Sequence, residues 1–138
     1  MADEEPVLTG AADEEKPFHL RSRAQSFVYA FHGIVEMLRT QHNAWIHAVL
    51  TTLVCISGIL AELQLAEWCW IILAIMAVWT AEALNTAFEY LADAASPEFH
   101  PLVAKAKDVA AGAVLIAAIG SAVIGLMIFW PHIMGPAQ

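Results

Sequence analysis

Apolar and polar positions alternate along this chain in a pattern that predicts four helices. From Phe18 to about residue 40, Phe27, Phe31, Ile34, Val35 and Leu38 keep helical spacing while Arg21, Arg23, His32 and Arg39 take other positions. A helix with one greasy stripe follows, suited to lying along a membrane surface, although packing against the protein's own helices fits the same pattern. No formally charged residue occurs between Arg39 and Glu62. Residues 44–63 therefore predict a first spanning helix, near the short end of the usual range of about 17 to 25 residues. A brief link carrying Glu62 and Glu67 but no base leads to a second span over 68–94. The third, over 109–130, contains no charge at all.

The second span is the exception among these greasy stretches. It carries Glu82, Asn85, Glu89 and Asp93, and at about 100° per residue the four fall within roughly 80° of one helix face. A turn marked by Ser96 and Pro97 follows. Lys107 and Asp108 then stand where the chain re-enters apolar sequence. Two helix ends thus bring acids, an amide and a lysine together, and carboxylates at membrane depth generally face protein or water because hydrocarbon is costly for them.

Composition agrees with a membrane protein. The hydrophobic fraction is 59% and the charged fraction 14% over 138 residues, against about a quarter charged in soluble domains, and the length suits one domain. The formal charge of -8 is concentrated: six of the fourteen acids lie in the first fifteen residues. Residues 1–17 are expected to form an acidic disordered tail, with 18–138 as the membrane domain. The remaining body is near neutral and lacks a basic patch for nucleic acid. Cys55 and Cys69 lie in apolar runs and read as small buried hydrophobes. The acidic N-terminus lacks the order of a signal peptide, so entry into the membrane through internal segments is expected.

All six lysines and arginines precede span one or lie between spans two and three. By the positive-inside rule the N-terminus and the 96–107 loop are expected on the cytoplasmic side, with Trp68, Trp70 and Trp130 in the far aromatic belt and Pro131 closing the last span. On span three Ala113, Ala117, Ser121 and Gly125 recur every four residues, a spacing that permits close helix contact.

Three acids beside a lysine can hold a hard divalent cation and an anionic phosphate together. Phosphoryl transfer needs that set, together with a base to orient a hydroxyl. A salt-bridged cluster that merely lets two helices meet, or a proton relay through the carboxylates, is served by the same residues. No GxxxxGK[ST], GxSxG, HExxH or CxxC occurs, which argues against a P-loop site and the common hydrolase and metal signatures. His42 and His47 share a helix face poorly as a ligand pair, and His100 reads as a turn histidine within reach of a phosphate.

The run AEALNTAFEYLAD followed by SPEFHPLVAKAKDVAAGAVL closely resembles the signature of the small prokaryotic diacylglycerol kinase family, which includes undecaprenol kinases. ExxNxxxExxxD and then AKD stand at the family's intervals, and weaker similarity over YAFHGIVEMLRTQHNAWIH extends the resemblance to about residues 27–130. It implies an all-α integral membrane homotrimer in the bacterial cytoplasmic (inner) membrane, with three spans and an amphipathic surface helix per chain. Such an enzyme moves the γ-phosphoryl of magnesium ATP onto a lipid hydroxyl, of diacylglycerol or undecaprenol, at the cytoplasmic face.

By position, the resemblance implies Glu82 as general base with Asn85 beside it, and Glu89 as a Mg2+ ligand. Lys107 and Asp108 match the pair that contacts and organises the nucleotide phosphates. Tyr29 matches an aromatic near the nucleotide, and Asp93, Glu98 and His100 match polar positions around the same site, which is shared between subunits. Gln41 stands where a well-known branch has a second metal-binding glutamate, so that metal position is expected to bind more weakly or to recruit Glu36. Trp45 stands where many relatives carry arginine.

Overall fold

The computed structural model describes residues 20–135, with side chains described from Ala24 onward. The acidic segment 1–17 lies outside the described residues. Four helices follow one another: α1 Leu20–Thr40, α2 His42–Leu60, α3 Leu65–Ala95 and α4 Pro101–Met134. The last three are long and apolar enough to cross a membrane.

Each break has a local cause. Gln41 leaves the helical region with φ -99° and ψ 117°, while its N–H still donates to the Met37 carbonyl at 2.9 Å, so α1 turns into α2 within one residue. The α2 terminus closes on Glu62, which takes the left-handed φ of 52°. The Leu63 N–H reaches back to the Gly58 carbonyl and the Glu62 N–H to that of Ile59, at 3.1 and 3.2 Å. Those two bonds satisfy carbonyls that a helix end leaves orphaned. Trp68 of α3 stacks over this corner, where a Cβ on Gly58 would lie 2.8 Å from the indole; only glycine lets the ring settle there.

α3 opens with a reciprocal cap in which the Glu67 carboxylate accepts from the Gln64 N–H at 2.7 Å. α4 opens on Pro101 in its first turn, with His100 Nδ1 accepting from the Leu102 N–H at 3.2 Å. The loop between α3 and α4 is consequently only residues 96–100. Sequence reasoning placed the start of the third span at 109; the helix begins at Pro101, where the ring's fixed φ and missing N–H suit a first turn. Lys105, Lys107 and Asp108 therefore sit on α4 rather than in a loop. At the other end Pro131 does not close the helix, which continues to Met134; so near the terminus its missing N–H removes a single backbone bond.

α3 and α4 form the most extensive pairing, α2 packs on α3, and α1 touches both more lightly. Two hydrogen bonds tie helices inside the apolar zone. Ser121 Oγ donates to the Ala74 carbonyl at 3.0 Å, and Trp79 Nε1 donates to Thr51 Oγ1 at 3.1 Å. The first requires close backbone approach, which the small-residue spacing around Ser121 allows. Among the described residues the buried apolar side chains are few: Met37, Ala44, Leu63, Ile71, Ala74, Val78 and Val114. Leu50, Leu53, Ile56, Leu126 and Met127 face outward, as on helices whose solvent is lipid or further protein. Cys69 is exposed and Cys55 partly so, not buried as expected, because an apolar residue in a spanning helix has no need to turn inward.

Candidate active site

The α1–α2 junction, the second half of α3 and the first turns of α4 meet at one end of the bundle. Three of the four polar-stripe residues are drawn into contacts there. Glu89 accepts two amide bonds, from Asn85 Nδ2 at 3.0 Å one turn earlier on α3 and from Gln41 Nε2 at 2.9 Å across the helix junction. Asp93 accepts from Lys107 Nζ at 3.0 Å, which couples α3 to α4. Thr40 Oγ1 and the Tyr90 hydroxyl lie 2.8 Å apart beside them and lock α1 to the same face.

Glu82 is different. It is fully buried, and among the described residues neither carboxylate oxygen has a hydrogen-bond partner. His47 on α2 approaches it, with Nε2 3.8 Å from Glu82 Oε2. His47 Nε2, both Glu82 oxygens and Asn85 Oδ1 are the buried side-chain polar atoms without a partner among the described residues. A buried polar group left unpaired costs about 1–3 kcal/mol, and more when charged, so the facing His47 and Glu82 atoms, with Asn85 Oδ1 one turn further along α3, mark a stretch suited to receiving something polar.

The other expected residues lie around rather than within this cluster. Tyr29 is exposed on α1, Asp108 is exposed on α4, Glu98 lies in the 96–100 turn with its carbonyl accepting from Ser96 Oγ at 2.9 Å, and His100 caps α4. Among the described residues none of these four is joined to the Gln41–Glu89–Asn85 chain by a hydrogen bond or ion pair. His47, which the sequence pattern offers only as a poor ligand partner for His42, stands beside Glu82 in the structure. The available signal was a histidine in the middle of an otherwise apolar span.

Among the described residues no three His, Cys, Asp or Glu side chains converge as a closed metal cage. That suits magnesium, which uses one or two carboxylates and completes its shell with water and substrate phosphates. Glu89 could supply one such carboxylate. Rotation of the Gln41 or Asn85 amide would present an oxygen beside it, and Asn85 Oδ1 is already unpartnered.

Three membrane-length helices with a carboxylate-centred polar cluster at one end define a polytopic membrane protein. The prokaryotic diacylglycerol kinase family matches residues 28–129. An undecaprenol kinase of Bacillus subtilis (strain 168) is 45% identical over 109 residues, covering 79% of this chain and 89% of that protein. A diacylglycerol kinase of Synechocystis is 34% identical over 79% of this chain and 63% of its own length. That of Escherichia coli (strain K12) is 32% identical over 54% and 70%. The chain belongs to the prokaryotic diacylglycerol kinase family and is a lipid kinase, which selects phosphoryl transfer among the readings that the acidic stripe allowed.

Proposed function

We propose that this kinase transfers the γ-phosphoryl of ATP to the primary hydroxyl of a polyprenol of the undecaprenol type, with Glu82 as general base. The observation that carries the base assignment is the buried Glu82 carboxylate with both oxygens unpartnered. An incoming hydroxyl would donate to it. As the alcohol oxygen bonds to the γ-phosphorus, its proton passes to Glu82, the bond from that phosphorus to the β,γ-bridging oxygen breaks, and ADP leaves. The choice of polyprenol rests on the 45% identity to an undecaprenol kinase; diacylglycerol, with the same kind of interfacial hydroxyl, is the competing acceptor.

Glu89, with the amides of Gln41 and Asn85, would hold Mg2+, which supplies charge stabilisation to the phosphate oxygens. Lys107 would contact the nucleotide phosphates, held ready by Asp93 at 3.0 Å. Tyr29, Glu98, His100 and Asp108 would close on the nucleotide from the rim, in a homotrimer whose sites are shared between chains. The stripe of Phe27, Phe31 and Ile34 is exposed, and this supports α1 lying along the membrane surface or against a sister chain. The distribution of lysine and arginine supports a cytoplasmic site in the bacterial inner membrane.

The test is transfer of labelled phosphate from magnesium ATP to undecaprenol and to diacylglycerol, assayed side by side in mixed micelles. Faster turnover of the polyprenol is expected. Preference for diacylglycerol would overturn the substrate assignment.

A further inference from the structure

His47 belongs to α2, Glu82 to α3, and neither the sequence signature nor the transfer chemistry described above gives His47 any part. Its ring is about nine-tenths removed from solvent, with a side-chain exposure of 11%, yet Nε2 has no hydrogen-bond partner. It stands 3.8 Å from Glu82 Oε2, roughly 1 Å beyond a normal N–H···O bond. Hydrogen bonds at reacting groups are often long without substrate and tighten when it binds. His47 also lines a groove of about 510 Å3 between α2, α3 and α4, whose other lining residues are apolar apart from Thr51, Ser121 and Trp130. His47 thus touches both that greasy groove and the buried carboxylate.

We infer that His47 is a positioning residue for Glu82: with its proton on Nε2 it donates to one carboxylate oxygen, holds the carboxylate against rotation, and leaves the other oxygen aimed at the lipid hydroxyl. This rests on Glu82 being the base. Thr86 cannot serve instead, because its hydroxyl donates to the Glu82 backbone carbonyl at 2.9 Å. Asn85 Nδ2 donates to Glu89 and makes no bond to the Glu82 carboxylate. His47 is therefore the one donor-capable neighbour in place for the Glu82 side chain among the contacts described.

The experiment compares His47→Leu and His47→Gln in the full chain, in detergent micelles with lipid and magnesium ATP. His47→Leu keeps the volume and removes the donor. Its kcat should fall by roughly 10- to 100-fold, a part of the roughly 100- to 10,000-fold that a general base supplies. Its KM for magnesium ATP should not change, since the Gln41–Glu89–Asn85 chain is untouched. His47→Gln keeps an N–H donor of similar reach and should restore most of the turnover. If the leucine variant does not fold, His47→Asn, whose donor falls short by one methylene, replaces it. Equal loss in the donor and donor-free variants, or a raised KM with unchanged kcat, overturns the assignment. An active Glu82→Gln would overturn the base reading itself, whereas an inactive Glu82→Gln beside a fully active His47→Leu would overturn only the role of His47.

Discussion

Gln41 Nε2 donates to Glu89 Oε2 at 2.9 Å, joining the α1–α2 junction to the middle of the polar stripe on α3. A neutral amide here satisfies the carboxylate in the absence of metal, whereas a second carboxylate would repel it. Gln41→Glu should therefore lower the free magnesium needed for half-maximal activity and, in chelator, lower the melting temperature, because like charges within hydrogen-bond distance need a cation between them. Titrating magnesium against both activity and thermal unfolding checks the pair of effects. Loss of magnesium affinity in Gln41→Glu would count against Glu89 as a ligand.

Lys107 and Asp93 form a 3.0 Å ion pair with both side chains substantially exposed, at 39% and 70%. Exposed pairs contribute about 0–1 kcal/mol, so this one does little for stability. Lys107→Met should leave the melting temperature nearly unchanged while raising the KM for ATP or abolishing transfer. A large drop in melting temperature with normal kinetics would instead make Lys107 a structural clasp.

Glu62 closes α2 in the left-handed region at φ 52°, a conformation that costs an L-residue about 1–2 kcal/mol and glycine almost nothing. Glu62→Gly should stabilise the folded protein by about 1 kcal/mol, given glycine's greater freedom when unfolded. Reversible unfolding in mixed micelles measures it, and activity should be unaffected because this corner lies at the opposite end of the bundle from the site.

Gly58 and Gly33 offer a contrast within one protein. A Cβ at Gly58 would meet the Trp68 ring at 2.8 Å and Leu63 at 3.0 Å, whereas at Gly33 nothing lies within 4 Å. Gly58→Ala should destabilise by about 1–3 kcal/mol through overpacking. Gly33→Ala should be neutral or gain up to about 1 kcal/mol from helix propensity. Equal effects in thermal melts would mean that Trp68 yields freely.

Much of this arrangement was legible along the chain. The spacing of Glu82, Asn85 and Glu89 put them on one face because helical geometry is local, and the uncharged run of α4 marked a membrane helix by composition alone. The early start of α4 was not legible from hydropathy: residues 101–108 are mixed in character, and what begins the helix is a capping histidine and a proline. The continuation past Pro131 was hidden for a related reason, since proline near a terminus removes only one bond. The His47–Glu82 approach was the hardest to foresee. It joins residues on different helices, and nothing in the local pattern says which way a lone polar residue in an apolar run will turn.

The length of α3, 31 residues from Leu65 to Ala95, amounts to a depth gauge. With Trp68 at one face of a hydrocarbon layer about 30 Å thick, a rise of 1.5 Å per residue puts Glu82 about 21 Å along the axis, Glu89 about 31 Å and Asp93 about 37 Å. The acid that would take the proton is then submerged by some 9 Å, the carboxylate that would face the metal lies at the waterline, and the aspartate that steadies Lys107 stands clear of it. On the proposed assignment, the length of this helix sets how far a hydrocarbon-tailed alcohol would have to rise and how deep a triphosphate would have to reach for the two to meet.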